Sequence, residues 1–181
     1  MQSASLIISF LARLTGAISK GVMLALVIPL ATALLFAIPT MPALILIGTT
    51  LVIEYGAAPV GVGLGLPPAF VFLVLSCVAL GVILLLFDLF DSIGDHSERV
   101  RRLLDRSRKR AAESAVLAKY GIYGLVVVVL TLGFYLCPPI AWVCGWDKNR
   151  SILYTMIGYC LITAVLIIFT GDILQLILPQ A

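Results

Sequence analysis

A single carboxylate, Glu54, stands in a long part of the sequence that otherwise has no charge. No other Asp, Glu, Lys, Arg or His occurs between Lys20 and Asp88. Glycines and prolines crowd the segment that it opens, EYGAAPVGVGLGLPP, and indicate backbone that does not stay helical. An isolated ionisable group beside such backbone is typical of a substrate or ion site inside a membrane. The predicted binding residues here are Glu54, Tyr55, Gly56, Pro59, Pro67 and Pro68.

A second segment, FYLCPPIAW, repeats the Pro-Pro pair and adds Tyr135, Pro138 and Pro139 to the candidate binding residues. We expect Tyr55 and Tyr135 to hydrogen-bond Glu54 or the substrate. A medium of low dielectric constant favours the neutral form of a carboxyl group, so protonation of Glu54 could accompany transport. The alternative is a structural acid that pairs only with backbone or with a tyrosine hydroxyl.

Other reactive side chains are few and lack the spacing of known sites. The four cysteines lie in apolar surroundings without a CxxC pattern, and His96 is the only histidine. One buried acid and one histidine supply neither a nucleophile–base pair nor a set of metal ligands. We therefore expect no enzymatic activity, no cofactor and no metal.

The composition is that of a polytopic membrane protein with a single domain, residues 1–181. Hydrophobic residues make up 62% of the chain and charged residues 12%, which excludes an ordinary soluble domain. The uncharged runs are longer than the ~20 residues that cross a bilayer as a helix.

The positive charge is concentrated in one segment, since eight of the twelve Lys and Arg residues lie between Arg99 and Lys119. Residues 97–119 are predicted to form an amphipathic helix on the cytoplasmic membrane surface. Nucleic-acid binding would need a soluble basic face with stacking aromatics, which is lacking here. The expected partners are membrane lipids, and recognition of a phosphate-bearing substrate is the alternative. The predicted headgroup-binding residues are Arg99, Arg102, Arg106, Lys109, Arg110 and Arg150.

The lengths of the apolar segments predict an all-α membrane protein with about three full spans and two re-entrant hairpins. Residues 1–20 are expected to lie along the membrane as an amphipathic helix, and a cleavable signal peptide or a membrane-spanning segment is the alternative. Met41–Ile53 would be only ~20 Å long as a helix, too short for a ~30 Å hydrocarbon core. It is therefore expected to dip into the membrane, turn at Glu54–Gly56 and return. The predicted full spans are Gly21–Ile38, Ala69–Phe87 and Ser151–Gly171.

The second hairpin is predicted to enter at Gly121, turn at Cys137–Pro139 and leave by Trp146. Hairpin and span then occur twice, at 41–87 and 121–171, in opposite orientations, as in many secondary transporters. This arrangement places every Lys and Arg on one side, the cytoplasm by the positive-inside rule. The alternative is coincidence together with ordinary helix kinks.

Five motifs resemble the prokaryotic putative small multi-drug export protein family: EYGAAPVGVGLGLPP, KYGIYGLV, LGFYLCPPIAW, CGWDKNRS and GYCL. That family is in turn similar to the DedA (VTT-domain) membrane proteins. The resemblance implies two re-entrant hairpins that point at each other in a prokaryotic plasma membrane. It also implies proton-coupled transport of lipid phosphates such as polyprenyl-phosphate carriers. The second-hairpin arginine of DedA proteins is missing, so phosphate recognition would fall to Lys148, Arg150 or the basic helix.

Three functions remain to be compared. A transporter or lipid flippase with Glu54 as its proton- or substrate-responsive group is favoured. A multidrug exporter of small molecules, or an accessory or scaffold protein without transport activity, is the alternative. A homodimer is compatible with so short a chain, because a small protein can need a partner to enclose a pathway.

Overall fold

The structure is a computed structural model that describes residues 15–96 and 121–177. All regular elements within these residues are helical, as predicted. The seven α-helices are α1 (Thr15–Leu35), α2 (Thr40–Ile53), α3 (Ala57–Gly63), α4 (Pro68–His96), α5 (Gly124–Leu132), α6 (Cys137–Cys144) and α7 (Lys148–Ile177). The predicted basic helix at 97–119 and the first part of the predicted N-terminal segment lie outside the described residues.

Four described stretches are long and apolar enough to cross a bilayer, which establishes a multi-pass membrane protein. They are Thr15–Leu35, Thr40–Gly63, Pro68–Ser92 and Lys148–Leu174. Many large apolar side chains on these helices are exposed, including Leu34, Val52 and Phe169, which are 69%, 80% and 62% exposed. A bilayer provides the apolar surroundings that such a surface needs.

Helix α1 begins earlier than predicted, because Gly21 lies inside the helix and does not start it. A Cβ on Gly81 of α4 would lie 2.8 Å from the Gly21 carbonyl oxygen, so the two backbones approach closely at this crossing. Small residues allow such contact between membrane helices. A π-helical turn at Met23–Val27 follows the crossing, and the helix ends at Leu35, before Pro39.

Helices α2 and α3 lie side by side, although together they are long enough for one span. A Cβ on Gly61 of α3 would lie 2.9 Å from Cδ1 of Leu46 on α2. Fifteen residues of continuous helix would separate these positions by about 22 Å, so the chain reverses between them. The reversal is the 3₁₀ turn Glu54–Gly56. Against the prediction, Ala57–Gly63 of the Gly/Pro-rich segment is helical, because Pro59 lies in the first turn of α3, where its missing N–H is tolerated. Residues 64–67, at the end of the segment, are not helical, as predicted.

Helices α5 and α6 form a second hairpin. Sγ of Cys137 lies 3.9 Å from the Leu125 carbonyl oxygen, whereas twelve residues of continuous helix would separate them by about 18 Å. The chain reverses at Gly133–Leu136 and not at Cys137–Pro139, so the predicted turn is wrong by a few residues. The proline pair instead lies in the first turn of α6, where the fixed φ of proline favours helix initiation.

The long helices give the two hairpins opposite orientations. Ser76 of α4 contacts Cys160 of α7, with 3.8 Å between Oγ and Sγ. Lys148 at the start of α7 pairs with Asp88 near the end of α4, so α4 and α7 are antiparallel. The α2–α3 hairpin precedes the start of α4, and the α5–α6 hairpin precedes the start of α7. The hairpins therefore enter the bundle from opposite ends.

Candidate transport site at the hairpin tips

The tips of the two hairpins meet at Glu54. The backbone N–H of Phe134 donates to Oε2 of Glu54 across 2.9 Å. The hydroxyl of Tyr135 donates to the carbonyl oxygen of Leu51, in the last turn of α2. Two hydrogen bonds thus join the tips directly, one of them through the isolated carboxylate.

Unusual backbone conformations bring the carboxylate against the opposite tip. Glu54 has φ 57° and ψ −128°, a conformation that costs a residue other than glycine roughly 1–3 kcal/mol. Gly133 has φ 85° and ψ 173°, a combination open only to glycine. A Cβ on Gly133 would overlap the Glu54 carboxylate. Gly133 is therefore required both by its φ and by the space that the carboxylate occupies.

Aromatic rings surround the contact. The Phe134 ring stacks on Tyr135, with 4.4 Å between centroids, and meets the fully buried Tyr159 of α7 edge-on at 5.2 Å. The titratable neighbours of Glu54 are Tyr55 in the chain, and Tyr135, Cys137 and Tyr159, which interact with it electrostatically. None of these tyrosine and cysteine side chains can carry a positive charge.

Among the described residues, no cation faces the carboxylate. Arg150 is exposed on the first turn of α7, nine residues before Tyr159, which is roughly 13 Å of helix. It is the one predicted headgroup-binding residue that the structure describes. Glu54 is half-buried, and its carboxylate is held by a single backbone N–H, so compensation of its charge is weak.

The structure gathers some of the predicted site residues and separates others. Tyr55 and Gly56 share the first tip with Glu54, and Tyr135 lies on the opposite tip. Pro138 is buried and Pro139 half-buried at the start of α6, one turn beyond that tip. Pro59 is exposed in the first turn of α3. Pro67 and Pro68 lie beyond the far end of α3 and outside the tip contact, because they connect the hairpin to α4.

A second group of charged side chains lies at the end of the bundle where α7 begins. Nζ of Lys148 lies 2.6 Å from Oδ1 of Asp88 and 3.2 Å from Oδ2 of Asp91. Both aspartates and Lys20 line a cleft of about 320 Å³. The three described basic residues, Lys20, Lys148 and Arg150, therefore gather at one end, as the predicted topology requires.

Two elements of this region were missed by the sequence reasoning. Gly133 and the Phe134 N–H carry the contact with Glu54, yet neither has a side chain that suggests a binding role. The other element is a row of buried hydroxyl groups on α7. The spacing of Ser151, Thr155, Tyr159 and Thr163, one every four residues along an apolar span, was the signal that could have revealed it.

These features define a multi-pass α-helical membrane protein in which two oppositely directed hairpins meet at one carboxylate. The family model described as "Putative small multi-drug export protein" matches residues 54–167, from Glu54 into α7. The match covers more than half of the chain, which belongs to this family. Comparisons with curated proteins and with solved structures gave no match.

Proposed function

We propose that the protein is a proton-coupled exporter of amphipathic compounds, with Glu54 as the group that alternately binds proton and substrate. The observation that carries this proposal is the Glu54 carboxylate at the junction of the two hairpins, bonded to the Phe134 N–H. Family membership and the apolar helices support a role in membrane transport. A site between oppositely oriented units is the usual arrangement in secondary transporters.

The hairpins are re-entrant in this proposal. Helix α2 has 14 residues, about 21 Å, which is shorter than the ~30 Å hydrocarbon core. The tips then meet inside the bilayer, where irregular backbone must be covered by protein or by a water-filled cavity. The end with Lys20, Lys148 and Arg150 faces the cytoplasm of a prokaryotic cell, since short cytoplasmic loops carry the excess of basic residues.

Protonation of Glu54 is the step that loosens the tips. As a carboxylate, Glu54 accepts a charge-assisted hydrogen bond from the Phe134 N–H. As a neutral acid, it is a weaker acceptor and gains a proton to donate elsewhere. Loss of the charge therefore weakens one of the two hydrogen bonds that join the tips, and the bond from Tyr135 to Leu51 remains.

The charge around the site favours a neutral or cationic amphipathic substrate. A carboxylate without a neighbouring Lys or Arg attracts a cation and repels a phosphate. A lipid phosphate, which the DedA resemblance suggests, is the second candidate, and the exposed Arg150 and the Lys148 cluster favour it as headgroup contacts. The site supports transport better than catalysis, because Glu54 has no neighbouring nucleophile–base pair among the described residues.

The test measures transport in proteoliposomes with an imposed pH gradient. Purified protein is reconstituted, and efflux of the amphipathic cation ethidium and flipping of a fluorescent polyprenyl phosphate are followed in parallel. Glu54→Gln is expected to abolish the pH-driven component, whereas Glu54→Asp retains a measurable part. Asp172→Asn is the matched control, because Asp172 is exposed near the end of α7 and far along the helix from the tips.

Two results would overturn the proposal. One is full pH-driven transport by Glu54→Gln. The other is that the wild-type protein moves neither ethidium nor the polyprenyl phosphate. Movement of the polyprenyl phosphate alone would retain Glu54 as the coupling group and replace the substrate by the second candidate.

A further inference from the structure

The buried face of α7 carries hydroxyl groups without partners. Thr155, Tyr159 and Thr163 are fully buried, and their hydroxyl oxygens make no hydrogen bond among the described residues. Buried polar groups in proteins are nearly always satisfied by protein or by bound water, because an unsatisfied hydroxyl costs about 1–3 kcal/mol. Three unsatisfied hydroxyl groups in one row along α7 therefore need an explanation.

Other threonines of the bundle show that these hydroxyls have a ready alternative. Five threonine hydroxyls donate to the carbonyl oxygen one turn earlier in their own helix: Thr32, Thr49, Thr50, Thr131 and Thr170. Thr155 and Thr163 do not make this bond, although they lie in the same kind of helix. Their hydroxyls are thus left free for another partner.

The row runs past the Glu54 site. Tyr159 packs edge-on against Phe134, whose N–H holds Glu54, and the charge of Glu54 acts on the Tyr159 phenol. Thr155 lies near the thiol of Cys137, but that thiol is directed at the carbonyl oxygens of Gly133 and Leu125. Thr163 lies near Tyr159 without the geometry of a direct hydrogen bond.

In the other direction, the row leads to the charged end of the bundle. Ser151, one turn before Thr155, is also fully buried and donates to the Asp147 carbonyl oxygen. Lys148 follows on the same face and pairs with Asp88 and Asp91 beside the cleft. Polar groups thus occur at every turn of α7 from this end to Tyr159.

We propose that Thr155, Tyr159 and Thr163 bind a file of water molecules along α7, which carries protons between the charged end of the bundle and Glu54. Successive residues of the row lie about 6 Å apart along the helix, so one water can bridge two neighbouring hydroxyl groups. Buried waters typically make about three hydrogen bonds, and the next water of the file supplies a further partner. A hydroxyl both donates and accepts, so it can pass a proton along the file. Only one part of this inference rests on the proposed function, namely that transport uses the protons that the file delivers to Glu54.

The first measurement detects the water itself and needs no transport activity. X-ray radiolysis of the full-length protein in nanodiscs generates hydroxyl radicals from bound water, and mass spectrometry locates the modified side chains. We expect modification at Tyr159, despite its burial, and much less at Phe70, a buried ring in apolar surroundings. Modification of Tyr159 no greater than that of Phe70 would overturn the proposal.

The second measurement follows protonation of Glu54 after a pH jump, through the infrared band of its carboxylic acid that is lost in Glu54→Gln. Thr155→Val and Tyr159→Phe keep the shape of the side chain and remove the hydroxyl, and we expect roughly tenfold slower protonation in each. Thr170→Val is the matched control on the same helix, because its hydroxyl is already bonded to Leu166.

The outcomes separate this inference from the proposed function. Unchanged protonation rates in Thr155→Val and Tyr159→Phe, together with higher thermal stability, would show that the hydroxyls are simply unsatisfied and would overturn the inference. Proton coupling through Glu54 would then still stand. If wild-type Glu54 shows no change in protonation between about pH 4 and about pH 9, the proton-carrying role of the file fails together with the proposed function.

Discussion

The bundle holds carboxylates in two ways, which differ in the groups that compensate the negative charge. At the end of the bundle, Asp88 and Asp91 share the Lys148 ammonium group at 2.6 Å and 3.2 Å. Their side chains are 29% and 49% exposed, so water also stabilises the charges. At the hairpin tips, Glu54 has a backbone N–H and no cation among the described residues.

The two carboxylate sites therefore differ in what stabilises the negative charge. The Lys148 ammonium group and water both stabilise the negative charges of the two aspartates. The Glu54 carboxylate accepts one N–H among the described residues, and the position of that N–H depends on the contact between two separate hairpins. In the proposed function, the charge of Glu54 is coupled to the contact between the hairpins, whereas the ion pairs of Asp88 and Asp91 do not depend on that contact.

The largest expected effect comes from blocking the tip contact. Gly133→Ala places a Cβ where the Glu54 carboxylate lies and forces alanine into φ 85°. We expect destabilisation by about 2–4 kcal/mol and loss of transport, because the tips cannot approach. The midpoint of heat-induced loss of the size-exclusion peak measures the stability of the purified protein.

Gly65→Ala separates the two causes. Gly65 also has a positive φ, 73°, but nothing lies within 4 Å of its Cβ position. This variant should lose only about 1 kcal/mol and keep its transport activity. Equal losses in the two variants would show that backbone strain explains the effect and that the carboxylate contact does not matter.

A smaller effect is expected when the second bond between the tips is removed. Tyr135→Phe deletes the hydroxyl that donates to Leu51, at an expected cost of about 1 kcal/mol. Tyr55→Phe is the control, since the Tyr55 hydroxyl bonds to no other described residue. Thermal stability of both variants is compared in the same detergent. An equal change in the two variants would contradict a specific role of the Tyr135–Leu51 bond.

The smallest effect is expected at the charged end. Lys148→Gln breaks both ion pairs, but partly exposed pairs contribute only about 0–1 kcal/mol. The difference from wild type should shrink further in high salt, because mobile ions screen exposed charges. Unfolding midpoints in low and high salt check this. A loss of several kcal/mol that salt does not reduce would show that the pair is desolvated and that the contrast with Glu54 is wrong.

Much of the architecture could be predicted because bilayer thickness limits helix length. Met41–Ile53 is too short to cross, which predicts a reversal at Glu54, and the structure reverses the chain there. The distribution of Lys and Arg predicts that Lys20 and Lys148 lie at one end, where both are found. The prediction was wrong about the role of the second pair of prolines. Pro138 and Pro139 were expected to form a turn, but proline equally begins a helix when the chain has turned just before it.

The sequence by itself determined the class of protein, its helical architecture and the position of the isolated carboxylate. These follow from composition, hydropathy and length, which act locally along the chain. Only the tertiary structure decided what Glu54 faces, because Gly133 and the Phe134 N–H are distant in sequence and have no distinctive side chain. It also decided that Thr155 and Thr163 lack the usual bond to their own helix, since a hydroxyl rotamer depends on its packed surroundings.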